Sequence, residues 1–508
     1  MENPPQTDKV HVFEAMYKTV DSSLNEYWIN NPLIEALPRI LTEIEFFTLV
    51  TDLPRFDQTI LNANPQQRVA QIDQCMRLTV PMTSHLFLKQ RFDRVIRDGY
   101  GNRNPIKNLN HNGLQEKLAL AKELTGYALA KKVSPTSPGF SIIGIGGVGK
   151  THGLDTVMQI YPQVIVHKDF VDNQGTVHHL QRTQIVHLKI TCPPDGSLKA
   201  LCDTFFNAVD LLLGTHYYED YGTKSNKYRS AAEMVPRMAS TAALFSLGVL
   251  VIDEIQYLSK QKSGGVELML HFFSYLMDQI QLPVILVGTP KADDILNGAF
   301  WQMRRNAGQG HFEWRRLTRS DERNNKCEWE RFLTAVWTYQ YCTIPIELVD
   351  DLVPKDLSDV LYLESQGIVD FALKLFRLAQ ERAINDQSET LSSALITDIA
   401  KDLFGNMRIV VQGIASGIKP KGLTIDDIKF KIDQNFSKLL DPDRNKGSTE
   451  NKTFDVESVE EIKKVPVRDI SLPRPLLDAL NTAIHDSSDV IETLRDESFL
   501  KSAREFGG

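Results

Sequence analysis

The sequence predicts an α/β protein in which a parallel sheet is flanked by helices, with further helical regions before and after it. Short apolar runs rich in β-branched residues alternate with helical segments, and a strand of a parallel sheet is expected to be apolar throughout because both of its faces are buried. Outside this region, apolar residues recur every three to four positions, which is typical of helices. The apolar runs lie at 140–145, 185–190, 248–252 and 284–287.

Composition places the chain among ordinary soluble proteins. It has 508 residues, of which 42% are hydrophobic and 24% are charged, so fibrous and wholly disordered classes are excluded. No apolar run approaches the ~20 residues that a membrane helix needs, and we expect a cytoplasmic protein without a membrane segment. The five cysteines form no C-x-x-C pair, which argues against a zinc module or a disulfide framework.

Changes of pattern along the chain predict its domains. Leu88 and Phe92 follow a helical period before residue 101, as do Phe371 and Leu375 in the later helical region. A cluster of Ser, Pro and Gly at 134–139 ends one helix, and a hairpin is expected around 172–175. The predicted domains are a helical N-terminal domain at 1–112, the α/β core at 113–320, a helical lid at 321–415 and a polar tail at 416–508.

A glycine-rich turn follows the first predicted strand. Residues 144–151 fit the pattern G-x-x-x-x-G-K-[ST] at every defined position and precede a predicted helix. In such a turn backbone N–H groups surround phosphates, Lys150 reaches the β- and γ-phosphates, and the Thr151 hydroxyl binds Mg²⁺. The predicted ATP-binding residues are Gly144, Gly146, Gly147, Val148, Gly149, Lys150, Thr151 and His152.

Two acidic residues follow the apolar run at 248–252. Asp253 stands where a carboxylate can hold Mg²⁺, so Thr151 and Asp253 are the predicted metal ligands. Glu254 is one residue further and is suited to positioning the attacking water. With the glycine-rich turn, this pair predicts an ATPase or a GTPase. Because no guanine-specifying N-K-x-D stretch is visible, we favour ATP with Mg²⁺ as the cofactors.

Three further residues are candidates for catalysis. Thr289 ends the run at 284–287, where its hydroxyl could contact the γ-phosphate, although threonine also simply terminates strands. Arg304 or Arg305 could stabilise the γ-phosphate of a neighbouring subunit as an arginine finger. An exposed arginine pair is also common in soluble proteins, so the choice between the two stays open. The predicted catalytic residues are Glu254, Lys150, Thr289, Arg304 and Arg305.

The order of these motifs resembles one family. The turn at 144–151, D-E-I-Q at 253–256, V-G-T-P at 287–290 and the arginine pair at 304–305 look like the AAA+ ATPases that regulate DNA transposition, the TnsC/TniB type. The resemblance implies an AAA+ P-loop core that assembles with ATP as a ring or filament on duplex DNA. It also implies coupling of target-site selector proteins to the transposase, with hydrolysis promoting release. The N-terminal helices and segments of the polar tail are then expected to bind partners.

The sequence departs from the wider AAA+ pattern at the lid. Residues 367–370 read Gly-Ile-Val-Asp, without the arginine that usually lies near the start of the lid helix. The resemblance therefore leaves open whether the lid contacts the nucleotide.

Two polar loops are candidates for contacts with DNA phosphates. The first carries Lys224, Lys227 and Arg229, and the second carries Lys260 and Lys262. For each, a solvated loop without a ligand is the alternative. The net charge of -8 weighs against strong binding of DNA by one subunit, but a ring repeats a modest local patch around the duplex.

Two other functions fit parts of the pattern. A replication-initiator-type AAA+ ATPase would also use ATP on DNA, but it needs a C-terminal winged-helix reader. The polar region after Gly417 shows no convincing helix-turn-helix. A signalling ATPase would need a ligand-sensing repeat region, and the sequence contains no internal repeat. The sequence therefore favours the transposition regulator.

Overall fold

The computed structural model describes residues 12–18, 28–106, 139–225, 230–260, 271–277, 280–292, 310–319, 327–405 and 408–413, together with residues 432, 433, 435, 436 and 439. The described residues within 1–40, 87–144 and 150–314 form one compact unit, and those within 41–86, 145–149 and 315–508 form a second. None of the described helices is both long and apolar enough to cross a membrane.

The elements alternate between strands and helices in the first unit and are mostly helical in the second. In chain order they are β1 (Val12–Glu14), α1 (Pro32–Glu35), α2 (Glu43–Val50), α3 (Pro65–Gln71), α4 (Thr83–Gly101), β2 (Phe140–Ile143), α5 (Lys150–Met158), β3 (Val164–Val171), β4 (Val177–Ile185), β5 (His187–Thr191), α6 (Leu198–Leu213), α7 (Tyr217–Tyr221), α8 (Ala231–Leu244), β6 (Val249–Asp253), β7 (Val284–Gly288), β8 (His311–Glu313), α9 (Glu328–Trp337), α10 (Lys355–Ser365), α11 (Val369–Asn385), α12 (Ser393–Phe404) and α13 (Arg408–Gly413). Short 3-10 segments lie at Gln58–Asn62, Ile72–Met76, Ile255–Lys260 and Pro290–Ala292.

A five-stranded sheet in the order β5-β6-β7-β2-β8 forms the centre of the first unit. All its pairings are parallel, and every residue of β2, β6 and β7 is buried. Phe205 and Phe206 of α6 and Met234 of α8 share one hydrophobic core with Leu250 and Leu286 of the sheet. Burial of both faces explains why these strands carry no polar alternation. The predicted parallel sheet flanked by helices is confirmed.

A three-stranded sheet in the order β1-β3-β4 lies in the same unit. β3 and β4 form the antiparallel hairpin expected around residues 172–175. In its turn, the Asp172 carboxylate accepts the backbone N–H groups of Gln174 and Thr176, both at 2.9 Å. β1 pairs in parallel with β3, whereas the sequence predicts a mostly helical region there. An exposed three-residue strand whose partner is distant in sequence leaves no local pattern to detect.

Helices dominate the second unit, as the helical spacing beyond residue 321 predicts. α11 buries Phe371, Leu375 and Leu378, which recur at three- and four-residue intervals along one face. In α9, Trp329 is fully buried and its indole N–H donates to the Ser358 hydroxyl at 3.1 Å. The core of this unit is therefore built from amphipathic helices that also bury polar groups such as the paired Trp329 indole and Ser358 hydroxyl.

A buried ion pair connects distant parts of the second unit. The Arg68 guanidinium contacts both carboxylate oxygens of Glu389, at 2.5 and 2.6 Å, and also donates to the Tyr341 carbonyl at 2.8 Å. The Arg68 side chain is only 3% exposed. Hydrogen bonds from Arg68 lower the pKa of Glu389 from 4.5 to about 2. In the folded protein, the charged form of Glu389 is thus favoured over the protonated form.

We predict that Glu389→Gln lowers the free energy of unfolding at neutral pH by about 2–3 kcal/mol, because it leaves the Arg68 charge buried without its counterion. Since the folded pKa of Glu389 lies below the unfolded one, the pair stabilises fully above about pH 4.5 and loses its effect as the pH falls toward 2. Denaturant titrations across this range should show the difference between the variant and the unsubstituted protein shrinking.

The matched control is Asp398→Asn, whose partner Lys401 is exposed and whose loss should change the stability little. A difference between Glu389→Gln and the unsubstituted protein that stays constant down to pH 2 would contradict the assigned pKa.

Candidate functional site

The turn between β2 and α5 has a backbone that its glycines permit. Gly147 and Gly149 have φ values of +85° and +96°, a region that residues with a side chain rarely adopt. α5 begins at Lys150, directly after the turn, so a helix N-terminus, whose first N–H groups point away from the helix, follows the turn in sequence. This local arrangement is that of an anion-binding turn.

Lys150 is held against the start of the turn. Its side chain is buried, and its Nζ donates to the Gly144 carbonyl oxygen at 2.6 Å. Gly144 itself has no room for a side chain, because an added Cβ would lie 2.3 Å from the Trp314 carbonyl oxygen. The Trp314 ring packs on Gly153 of α5, which fixes the helix beside the strand. A phosphate oxygen would offer the Lys150 ammonium a charged acceptor in place of the carbonyl.

Thr151 and Asp253 come together, as the predicted metal ligands require. The Thr151 hydroxyl donates to Oδ2 of Asp253 at 3.1 Å. Asp253 is buried at the end of β6, and its Oδ1 accepts the backbone N–H of Glu254 at 2.8 Å. A hydroxyl and a carboxylate are both oxygen donors, which Mg²⁺ prefers. The two side chains therefore fit a magnesium ion bound beside the phosphates.

Glu254 leaves the strand in an unusual conformation. Its φ is +59°, in the left-handed region, where a residue other than glycine is strained. The Glu254 carbonyl accepts the Tyr257 N–H at 3.1 Å, which begins the 3-10 turn that follows.

Burial raises the pKa of the Cys192 thiol to about 12, and the charges of Asp195 and Glu254 add to the effect, so this thiol is neutral.

Thr289 and Gln256 contact one another at the carboxyl end of β7. The Thr289 backbone N–H donates to Oε1 of Gln256 at 3.2 Å. Nε2 of Gln256 in turn donates to Oε2 of Glu254. The Thr289 hydroxyl is buried and has no hydrogen-bond partner among the residues that the structure describes. A buried hydroxyl of this kind is suited to a ligand or a water, in line with the sensor role that the sequence predicts.

Gln256 is the residue of this network that sequence reasoning missed. The D-E-I-Q string at 253–256 contains it, but a glutamine two positions after an acidic residue carries no general meaning. Only the 3-10 turn after β6 brings its amide back to Glu254.

Within the second unit, the start of α11 contacts the turn. The Asp370 backbone N–H at the start of α11 donates to the Gly147 carbonyl at 3.1 Å. A Cβ added to Gly147 would lie 3.1 Å from Cγ2 of Ile368 and 3.2 Å from Cβ of Asp370. Asp370, in the segment where the sequence contains no arginine, is thus in contact with the turn.

Some of the remaining predicted site residues lie in the part of the chain that the structure describes, and others lie outside it. Gly146 and Val148 lie buried in the turn, and His152 is exposed on α5. Lys224 is exposed, with its Nζ 5.3 Å from the centre of the Tyr218 ring. Lys260 ends the 3-10 segment after Glu254. Residues outside the described part of the chain are Lys227, Arg229, Lys262, Arg304 and Arg305.

The middle of the chain is similar to a known protein family. A family model described as AAA domain matches residues 138–296, which include both the turn at 144–151 and the Asp253-Glu254 pair. No curated protein matches the chain.

Several solved structures are similar at low identity. Cdc6p from Pyrobaculum aerophilum is 11% identical with a TM-score of 0.32, covering 66% of this chain and 87% of that chain. Drosophila ORC bound to DNA is 13% identical with a TM-score of 0.30, covering 58% and 67%. A variant of RuvB from Thermotoga maritima is 12% identical with a TM-score of 0.29, covering 65% and 84%. The AAA domain match and the parallel sheet support the predicted fold class, an AAA+ P-loop core with additional helical regions.

Proposed function

We propose that this protein is an ATPase that assembles on duplex DNA and regulates DNA transposition, with hydrolysis controlling release. The observation that carries the ATPase activity is the hydrogen bond of 3.1 Å between Thr151 and Asp253. Thr151 directly follows Lys150 in the sequence, and Asp253 directly precedes Glu254. This contact supports the proposed division of roles, in which Lys150 binds phosphate, Thr151 and Asp253 bind the metal and Glu254 is the base.

Each side chain has a distinct part in the proposed reaction. Lys150 binds oxygens of the β- and γ-phosphates, and Thr151 and Asp253 would hold Mg²⁺, which neutralises phosphate charge when bound. Glu254 orients a water and accepts its proton as the water oxygen bonds to the γ-phosphorus and the bond to the ADP oxygen breaks. The Thr289 hydroxyl, which has no hydrogen-bond partner in the described part of the chain, donates to the γ-phosphate or to that water.

Assembly and partners rest on the resemblance to transposition regulators. Arg304 or Arg305 of one subunit would stabilise the γ-phosphate of the next, so that ATP promotes a ring or a filament. Lys224 and Lys227, with Arg229, Lys260 and Lys262, would contact DNA phosphates. Target-selector proteins and transposase subunits are the proposed protein partners.

The exposed Lys224 supports the DNA contact. Its ammonium lies over the Tyr218 ring, and Arg237 lies over the Tyr221 ring at 5.4 Å, so two cations rest on one short tyrosine-rich helix. Cations held at a surface in this way can contact phosphates while their side chains are already partly ordered.

Glu254→Gln should retain ATP binding while turnover falls by about 10²–10⁴-fold, because the amide cannot accept the proton of the attacking water. Turnover is measured by phosphate release, and binding by equilibrium titration with a fluorescent ATP analogue. Rapid hydrolysis by this variant would rule out Glu254 as the base. A loss of binding would show instead that Glu254 supports the nucleotide site.

Replacing Lys224 and Lys227 together by alanine should weaken DNA binding and lower the slope of log Kd against log salt by about 1–2, because each lost phosphate contact removes about one released counterion. Lys168→Ala is the matched control, since this lysine is 69% exposed and lies on β3. An unchanged slope for the double variant would exclude the loop from the interface.

Electron microscopy should show rings or filaments only when a slowly hydrolysed ATP analogue and duplex DNA are both present. Nucleotide would order the subunit interface. DNA phosphates would neutralise the basic loops that assembly brings together, even though the whole chain has a net charge of -8. A monomer under every condition would contradict the proposed assembly.

A further inference from the structure

We infer that Gln256 is a positioning residue for hydrolysis, which holds the Glu254 carboxylate and links it to the end of β7. This inference rests on the proposed ATPase function. It concerns how the base is held and not which residue is the base. The assignment depends on three observations within the first unit, namely the two hydrogen bonds of the amide, its fixed orientation and the space left for it by Gly288.

The two bonds of the Gln256 side chain form a short relay. Its Nε2 donates to Oε2 of Glu254, and its Oε1 accepts the backbone N–H of Thr289 at 3.2 Å. Glu254 follows β6 and Thr289 follows β7, which are neighbouring strands. The glutamine therefore connects the proposed base with the residue whose hydroxyl is proposed to contact the γ-phosphate.

The backbone of Thr289 determines which end of the amide faces Glu254. A backbone N–H is a donor only, so it pairs with the oxygen end of the glutamine amide. The nitrogen end is then directed at the Glu254 carboxylate, which accepts from it. A hydrogen bond from an amide to a charged carboxylate fixes the plane of that carboxylate, which determines where its other oxygen can meet a water.

Gly288 provides the space for this arrangement. A Cβ added at residue 288 would lie 3.0 Å from Oε1 of Gln256 and 2.6 Å from Cγ2 of Ile255. Any side chain there would press on the segment that carries the amide. The glycine at the end of β7 thus permits the close approach on which the relay depends.

Holding the base matters because Glu254 is strained at φ +59° and follows a strand end rather than lying within it. A carboxylate on such a residue has several rotamers, and a misplaced base costs rate without affecting the binding of ATP. We therefore assign Gln256 an effect on kcat and little effect on KM.

The test uses Gln256→Glu in the full chain. This variant keeps the length of the side chain and the acceptor for the Thr289 N–H, but it replaces the donor to Glu254 with a second carboxylate. We expect kcat for ATP hydrolysis to fall about 10–100-fold, with the Kd of a fluorescent ATP analogue and the melting temperature close to those of the unsubstituted protein. Gln159→Glu, which changes an exposed glutamine at the end of α5, should leave all these values unchanged.

Two further variants separate positioning from a structural role. Gln256→Asn keeps the amide but shortens the side chain by one methylene, and it should also lower kcat with little effect on binding. Gln256→Glu placed in the Glu254→Gln background should change turnover less than about 2-fold, because a positioning residue has no effect once its base is gone.

The outcomes distinguish this inference from the proposed function. If the unsubstituted chain hydrolyses ATP, Glu254→Gln abolishes turnover and Gln256→Glu keeps the original kcat, the inference alone is overturned. If Gln256→Glu loses ATP binding and turnover together, the inference is also overturned, because Gln256 would then support the fold of the site. If the unsubstituted chain does not hydrolyse ATP under any condition, the proposed function fails and the inference with it.

Discussion

The parallel pairing of β6, β7 and β2 is the constraint on which the site depends. Parallel strands end at one edge of the sheet, and the register sets Ile143 of β2 opposite Gly288 of β7. The Gly144 N–H donates to the Gly288 carbonyl at 3.3 Å, so the glycine-rich turn starts beside Thr289. These strands are wholly buried, so the register is maintained by the hydrophobic core and not by bonds among the functional groups.

Such a rigid sheet can sustain a strained residue where β6 ends. The left-handed conformation of Glu254 costs about 1–2 kcal/mol, and such strain persists only where the surroundings determine the backbone on both sides. Here Asp253 accepts the Glu254 N–H, the Tyr257 N–H donates to its carbonyl, and Gln256 holds its carboxylate. Local hydrogen bonds therefore compensate for the strain and leave the carboxylate in one orientation.

The sequence predicts the parts of the structure that depend on neighbours in the chain. The buried strands, the glycine-rich turn and the acidic residues after β6 are visible as local patterns. The pairing of β1 with β3, the hydrogen bond from the Thr289 N–H to Gln256 and the Arg68–Glu389 pair join residues far apart in the chain. No period or motif encodes such contacts, because they follow from how the helices and strands pack.

At the start of α11, a carboxylate lies next to the glycine-rich turn. Asp370 lies at the start of α11, and an isolated carboxylate beside the glycine-rich turn would repel an anion bound there. Lys374, one turn later on α11, binds Asp370 at 2.7 Å and also pairs with Asp433, so the Asp370 carboxylate lies against a cation. What α11 presents to Gly147 is the backbone N–H of Asp370. Because a peptide N–H bond to a carbonyl needs no charged side chain, the contact between α11 and the turn does not depend on an arginine.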